Sequence, residues 1–371
     1  MDYFILFAKQ GANKRMTIFE RIKAQYEKFP YPSIPLFVRM RTADSHLMNY
    51  ESGVAACFGD VSLAVDRPKI LVVGCGTFEP YVVALANPSA EITCLDFSAS
   101  ALKKLKWRMR LHFPRRKFHY LCSSVEKIPN SLGHFHMIVA TGVLHHLENP
   151  SLGLAILEKH LAKNGVLRLM LYSKYGRHQI YKIRELAHAL GIHNGKQLKK
   201  MIAQLPADNP MKSQFSLYGD AQSEGGIRDG FLNVIDHAFD ALEAEGFLSQ
   251  SGVMAKKFLH SPSGSLHHFD SLRAENSCAR SDWEKIAALD RVSELESNFI
   301  FWAARAQEIL AETPKPKAFL LNPALKKFQG KKVYSKILGE LVQVPRVGKI
   351  PADQLARYRE ALWMLPAGEK K

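Results

Sequence analysis

Paired cysteines are what this chain most clearly lacks. Cys57, Cys75, Cys94, Cys122 and Cys278 are scattered, odd in number and form no C-x-x-C pair. That argues against a disulfide scaffold and a zinc site, and it suits a reducing compartment, so a cytoplasmic location is expected. Long apolar runs are missing as well. No stretch approaches the roughly eighteen apolar residues that suggest a membrane span. The early run Tyr3–Ala8 is too short for a signal-peptide core and follows Asp2 instead of basic residues. No internal repeat and no low-complexity tract is visible, which argues against a solenoid or a disordered linker. Acidic residues are in deficit: 35 Asp and Glu face 51 Lys and Arg, a net charge of +16. Such a balance permits nucleic acid, an anionic membrane surface or a phosphate-bearing substrate as partner, without choosing among them.

What is present points to a layered α/β chain. Hydrophobic residues make up 47% of the 371, enough for a substantial core. Ile70–Val73 is an uninterrupted aliphatic run, as a strand buried on both faces requires. "AEITCLDFS" reads as a second strand ending at Asp96, and "SASALKKLKWRMRL" as a helix capped by Ser98 or Ser100. "KFHYLC", "FHMIVATG" and "GVLRLMLYS" read as further strands, with a helix over 153–161 between the last two. Strand–helix alternation at this spacing predicts a doubly wound, mostly parallel sheet. After Ser173 the pattern turns helical. Residues 206–230 read as a polar, glycine-bearing stretch, 231–245 as a helix stopped by Gly246, and "FLSQSGVM" and "NFIFWAARA" as late strands. The window 313–350 carries nine Lys and Arg against Glu340 alone, a net +8.

The first chemical signal is "VVGCGTFEP". A strand ending in Gly-x-Gly lets a ligand approach the backbone, and the following helix offers free N–H groups. Asp96 lies twenty residues after Gly76 (96 − 76), the spacing at which an acid holds ribose hydroxyls. The bland reading of Asp96 is a helix cap. A dinucleotide turn would place a third glycine at 79, where the chain has Glu79. A carboxylate is poor for cradling a pyrophosphate and better for a cofactor bearing an ammonium and a sulfonium.

On these residues the chain resembles class I S-adenosylmethionine-dependent methyltransferases. Within them it resembles a bacterial family, often fused to tetratricopeptide repeats, marked by a QYE-x-x-PYP segment ahead of the core. Here that segment is "QYEKFPYPSIP", followed in order by "ILVVGCGT", "CLDFSASAL", "GVLHHLENP", "LAKNGVLRLMLYSKYGR" and, more weakly, "IRDGFLNVIDHAF", together spanning about residues 21–306. The resemblance implies a Rossmann-like sheet with S-adenosyl-L-methionine as cofactor. It implies that Gly74, Cys75 and Gly76 line the methionine part, with Glu79 beside them. Asp96 would hold the ribose and Phe97 flank the adenine. Ser124 and Val125 would meet the adenine edge, and Thr141 and Gly142 the sulfonium side. Phe78, Ser124 and His136 depart from the usual glycine or acids. Phe78 could crowd the methionine moiety or point into a helix–sheet contact.

The implied organisation is a helical N-terminal arm with a lid segment (1–65), a methyltransferase domain (66–306) with a helical insertion at about 176–245, and a basic C-terminal extension (307–371). Candidate general bases are His145, His146, Tyr31 and Tyr172. The bland reading of "VLHHL" is one packed ring and one loop contact. His267 and His268 read as exposed, and no spacing suggests a metal site. The cations of 103–117 read as a solvated face, with Trp107 half-buried against the sheet. The stretch 25–35 reads as a lid or substrate-side wall, stiffened by proline. The expected function is methyl transfer to a small molecule or protein; the alternatives are a binding protein without catalysis and a nucleic-acid methyltransferase.

Overall fold

The computed structural model describes residues 17–40, 45, 47–258, 280–292, 298–309, 316–335, 340–351 and 364–367. Its centre is a twisted sheet whose strands run in the order β3-β2-β1-β4-β5-β8-β7. These are β1 (Lys69–Val73), β2 (Glu91–Asp96), β3 (His119–Cys122), β4 (Phe135–Thr141), β5 (Leu161–Ser173), β7 (Val253–Phe258) and β8 (Asn298–Arg305). The short β6 (Ala238–Phe239) pairs with the end of β5. Strands β1 to β5 pair in parallel, and β8 enters antiparallel between β5 and β7. Chain order reverses between β1 and β4, so a crevice opens there at the carboxyl ends of the strands, where ligands bind in open α/β sheets.

Helices cover both faces, which is why the strands read as continuous aliphatic runs. On β1, Leu71 and Val73 join one apolar layer while Ile70 and Val72 join the other, the two-residue alternation of a strand. The first layer holds α5 (Pro150–Lys159), α10 (Ala241–Gln250) and α11 (Arg280–Arg291). The second holds α2 (Tyr50–Phe58), α3 (Glu79–Ala86) and α4 (Ala99–His112). Between β5 and β6 run α6 (His178–Ala189), α7 (Gly195–Gln204), α8 (Pro210–Leu217) and α9 (Glu224–Gly230), closed on their own cluster around Ile183, Leu198, Phe215 and Phe231. Helix α1 (Ile18–Lys28) opens on a capping box, Thr17 with Glu20. Past β8, β9 (Ala318–Leu321) is flanked by β12 (Lys349–Pro351) and β13 (Met364–Ala367), and β10 (Lys332–Ser335) pairs antiparallel with β11 (Glu340–Gln343) in a separate sheet. The Asn322 amide donates to Ser52 Oγ of α2 at 2.7 Å, tying this region to the core.

Several expectations change. The helix expected at 231–245 forms at Ala241–Gln250, because Asp240 and Glu243 make a capping box that starts it; Gly246 lies inside it, where an added Cβ would meet nothing. The strand expected in "FLSQSGVM" therefore begins only at Val253. The stretch 206–230 contains α8 and α9, each started by an Asn or Ser cap. Trp107 is 58% exposed instead of half-buried. Arg108, expected on the solvated face, is fully buried. Tyr3–Ala8 and the pair His267–His268 lie outside the described residues.

Candidate active site

The glycine turn is built from both sides. Gly74 and Gly76 both take φ +54°, a region that favours glycine. A Cβ on Gly74 would lie 2.5 Å from Val143 Cγ2, and one on Gly76 2.6 Å from the Tyr31 carbonyl oxygen. Asp96, at the end of β2, accepts the Gly76 N–H on Oδ2 and the Ser98 N–H on Oδ1, both at 2.8 Å. It thus holds the turn and also Ser98, whose hydroxyl caps α4 by accepting the Ala101 N–H at 3.1 Å. A carboxylate has about four lone-pair sites, so each oxygen keeps one acceptor position for a ligand. Burial pushes the Asp96 carboxyl up to about 6, against those two backbone N–H groups.

A second carboxylate stands on the other side of the turn. Glu79 is the first residue of α3 and retains some exposed surface while protein surrounds its carboxyl. Burial raises it to about 7, opposed by the Thr141 hydroxyl and by Arg168. Arg168 Nη1 donates to Thr141 Oγ1 at 2.9 Å, making a chain from guanidinium to hydroxyl to carboxylate. Thr141 ends β4, the strand paired with β1, and Gly142 follows it with φ +72°. Phe97 follows Asp96 and packs edge-on against Phe19 and Tyr26 of α1, with centroids 5.9 and 5.5 Å away. Ser124 and Val125 follow β3; both are buried, with Val125 in the core. Phe78 does not enter the crevice. Its ring lies 5.5 Å from Tyr81 and under the Arg108 guanidinium at 4.8 Å.

The segment 25–36 forms the near wall. Thr77 donates its N–H to the Tyr31 carbonyl at 3.1 Å and its hydroxyl to the Pro32 carbonyl. Arg108 fastens the segment from beneath, donating to the carbonyls of Ile34, Pro35 and Leu36 and of Thr77. Glu27 accepts from Ala99 N–H at 2.7 Å and Ser100 N–H at 3.0 Å, at the start of α4. On the far side, Tyr31 Oη donates to Asp220 at 2.7 Å and Tyr26 Oη donates to Asp229. The wall therefore joins the glycine turn to the helices between β5 and β6.

The four candidate bases meet at this wall. Tyr172, near the end of β5, has His145 stacked 3.6 Å from its centroid and the Arg177 guanidinium 3.5 Å from it. Two groups that close must lie on opposite faces of the ring. Burial, with Asp229 next, pushes the Tyr31 and Tyr172 phenols far up, so both stay protonated. Burial, then His146 and Arg177, pushes His145 well down, so it stays neutral. His146 differs in its hydrogen bonding. Its Nδ1 lies 2.9 Å from the Ile235 carbonyl, which can only accept, and 3.3 Å from the Asn233 amide nitrogen; the shorter contact favours the proton on Nδ1, which in the neutral ring leaves a lone pair on Nε2. That Nε2 and the Oδ1 of Asn233 are buried and have no hydrogen-bond partner among the described residues. Sequence reasoning missed Arg177, Asp220, Asp229 and Asn233 as site residues. Arg177 lay at the end of "LAKNGVLRLMLYSKYGR" and Asp229 and Asn233 in "IRDGFLNVIDHAF", segments that carried the resemblance but no assigned role, while Asp220 fell in a stretch that reads as polar loop.

Residues 71–167 match a family model described as a methyltransferase domain. Among curated proteins, one from Synechococcus sp., described as uncharacterized, is 31% identical over 207 residues, covering 53% of this chain and 49% of that protein. Among solved structures, PKMT2 from Rickettsia typhi superposes with a TM-score of 0.56 at 14% identity, over 82% of this chain and 60% of that one. The same protein in complex with AdoHcy gives 0.56 at 15%, over 83% and 60%. The chain thus spans about half to three-fifths of the length of these relatives, and the structural likeness is one of fold.

Proposed function

We propose that this chain is an S-adenosylmethionine-dependent methyltransferase acting on a small molecule or a protein. The observation that carries it is the pair of carboxylates, Asp96 and Glu79, flanking a positive-φ glycine turn within residues that match a methyltransferase domain. A pyrophosphate would meet repulsion from Glu79; an ammonium would be held by it. Asp96 has acceptor positions left for ribose hydroxyls. Gly74, Cys75 and Gly76 offer backbone to the methionine part, Phe97 flanks the adenine, and Ser124 and Val125 meet its edge. Thr141 and Gly142 face the sulfonium side. When bound, the cofactor supplies the methyl group and a sulfur that leaves with the electron pair.

The protein's share is positioning and exclusion of water. The wall at 25–36 covers the cofactor side, and Tyr172, His146 and Asn233 line the acceptor side. Where the acceptor must lose a proton, His146 Nε2 receives it. We read 66–306 as the methyltransferase domain with an insertion at about 176–245, 1–65 as arm and lid, and 307–371 as an extension. The scattered spacing of the cysteines, with no C-x-x-C pair in the sequence, supports a cytoplasmic setting. The binding-only alternative drew on a Phe78 ring crowding the turn, and that ring instead packs under Arg108.

The acceptor class is tested by incubating the chain with methyl-labelled S-adenosylmethionine and separated protein, nucleic-acid and small-molecule fractions of a bacterial extract. Label in the protein or small-molecule fraction, lost in His146→Gln, supports the reading. Label confined to nucleic acid contradicts it.

A further inference from the structure

The structure sorts the cations of α4 and its C-terminal turn into two kinds. Residues 99–117 contain eight Lys and Arg and no acid. Arg108 and Arg116 are consumed internally: Arg108 by the wall carbonyls, and Arg116 by the carbonyls of Ala84, Asn87 and Ala90 at the end of α3. The other six, Lys103, Lys104, Lys106, Arg110, Arg115 and Lys117, are exposed. Among them stand two exposed apolar side chains one helical turn apart, Trp107 and Leu111.

The loop that continues the wall adds to the same patch. His112 Nε2 lies 2.8 Å from the Leu36 carbonyl, and Arg108 bonds Pro35 and Leu36, so the loop is fastened to the C-terminal half of α4 at Leu36, with Phe37 and Val38 next in chain. Leu36, Phe37 and Val38 are all exposed, Phe37 by 79%, and Arg39 beside them is exposed too. Five apolar side chains thus stand in a field of seven cations with no acid in either segment.

We infer that this face docks on an anionic lipid bilayer, with Phe37, Trp107, Leu36, Val38 and Leu111 entering the interface and the cations meeting lipid headgroups. The combination of aromatic, aliphatic and basic side chains is that of an interfacial surface. A nucleic acid would use the cations and could stack on Trp107, but it offers no apolar medium to Leu36, Val38 and Leu111. The bilayer satisfies all three residue types. Because the docked loop is the continuation of the active-site wall, the surface holds one end of that wall in the interface.

The test is co-sedimentation of the full chain with vesicles of mixed phosphatidylglycerol and phosphatidylcholine, against phosphatidylcholine alone, with Trp107 emission read in parallel. Binding is expected only to the anionic vesicles, falling with salt, with a blue shift absent in Trp107→Phe. Each cation near the surface contributes about a fivefold factor. Lys103→Gln with Lys104→Gln and Lys106→Gln should therefore weaken binding roughly 100-fold. Phe37→Ser with Trp107→Ser should also weaken it while leaving the melting temperature unchanged, since both side chains face solvent. Absence of vesicle binding at low salt overturns the inference. So does single-stranded RNA that displaces the protein from vesicles at equal phosphate concentration.

Discussion

Asp96 shows how much one side chain can be asked to do. It holds Ser98, the cap of α4, fixes the glycine turn and, as proposed, takes the ribose. Its spacing from Gly76 was legible in the sequence, but the bond between them was not, since spacing says nothing of which lone pairs the protein itself uses. Its carboxyl and that of Glu79 titrate near 6 and 7, both raised chiefly by burial. Ligand hydroxyls and an ammonium need the ionised forms. Affinity for S-adenosylhomocysteine should therefore rise from pH 5 to pH 8 and then level off; equilibrium dialysis across that range checks it, and a flat profile would count against both assignments. Asp220 gives a stability counterpart. Burial raises its folded value to about 6 from 3.8, against the Tyr31 hydroxyl. A raised folded value means that the carboxyl favours the fold when protonated. This contribution is full below pH 4 and is lost as pH climbs through 6. Asp220→Asn keeps an acceptor for Tyr31 and removes the ionisation. It should stabilise the protein at pH 8 relative to wild type by on the order of 1 kcal/mol after solvent screening, and by little at pH 4. Paired thermal melts at the two pH values read this directly.

Among elements, the wall segment is the one whose role the fold clarifies most. Its prolines and tyrosines were visible in "QYEKFPYPSIP", and a lid or substrate-side wall was the expectation. What the sequence could not reveal was its fastening, because Arg108 sits 73 residues from Pro35 in a run of cations that reads as solvated. Periodicity marks a face, and a buried guanidinium satisfied by four carbonyls looks the same in sequence as an exposed one. Arg108→Lys should loosen the wall, since one ammonium cannot serve carbonyls of Ile34, Pro35, Leu36 and Thr77 together. Limited proteolysis should then cut near residues 30–38 in the variant and not in wild type. Phe78→Gly separates packing from crowding: with its ring between Tyr81 and Arg108, the change should cost about 2 kcal/mol of stability and leave S-adenosylhomocysteine affinity unchanged. Tighter binding would show that the ring does reach the cofactor.

For the whole molecule, the mostly parallel sheet followed from aliphatic runs and strand–helix alternation, because burial on both faces leaves a strong signature; the order of its strands did not, since it depends on which edges meet in space. The helices between β5 and β6 were only partly legible. Asn209, Ser223 and Asp240 start α8, α9 and α10 as caps, yet in sequence the same residues mark loops. The polar cluster of Tyr26, Asp229, Asn233 and His146 joins residues some two hundred positions apart, and no local pattern encodes that meeting. The central claim remains that the turn bounded by Asp96 and Glu79 holds S-adenosylmethionine. Titration calorimetry of the full chain with S-adenosylhomocysteine tests it most directly. One site per chain, abolished by Asp96→Ala in a variant that still melts cooperatively, is the predicted result. No heat at saturating ligand with the wild-type chain at pH 8 would contradict it.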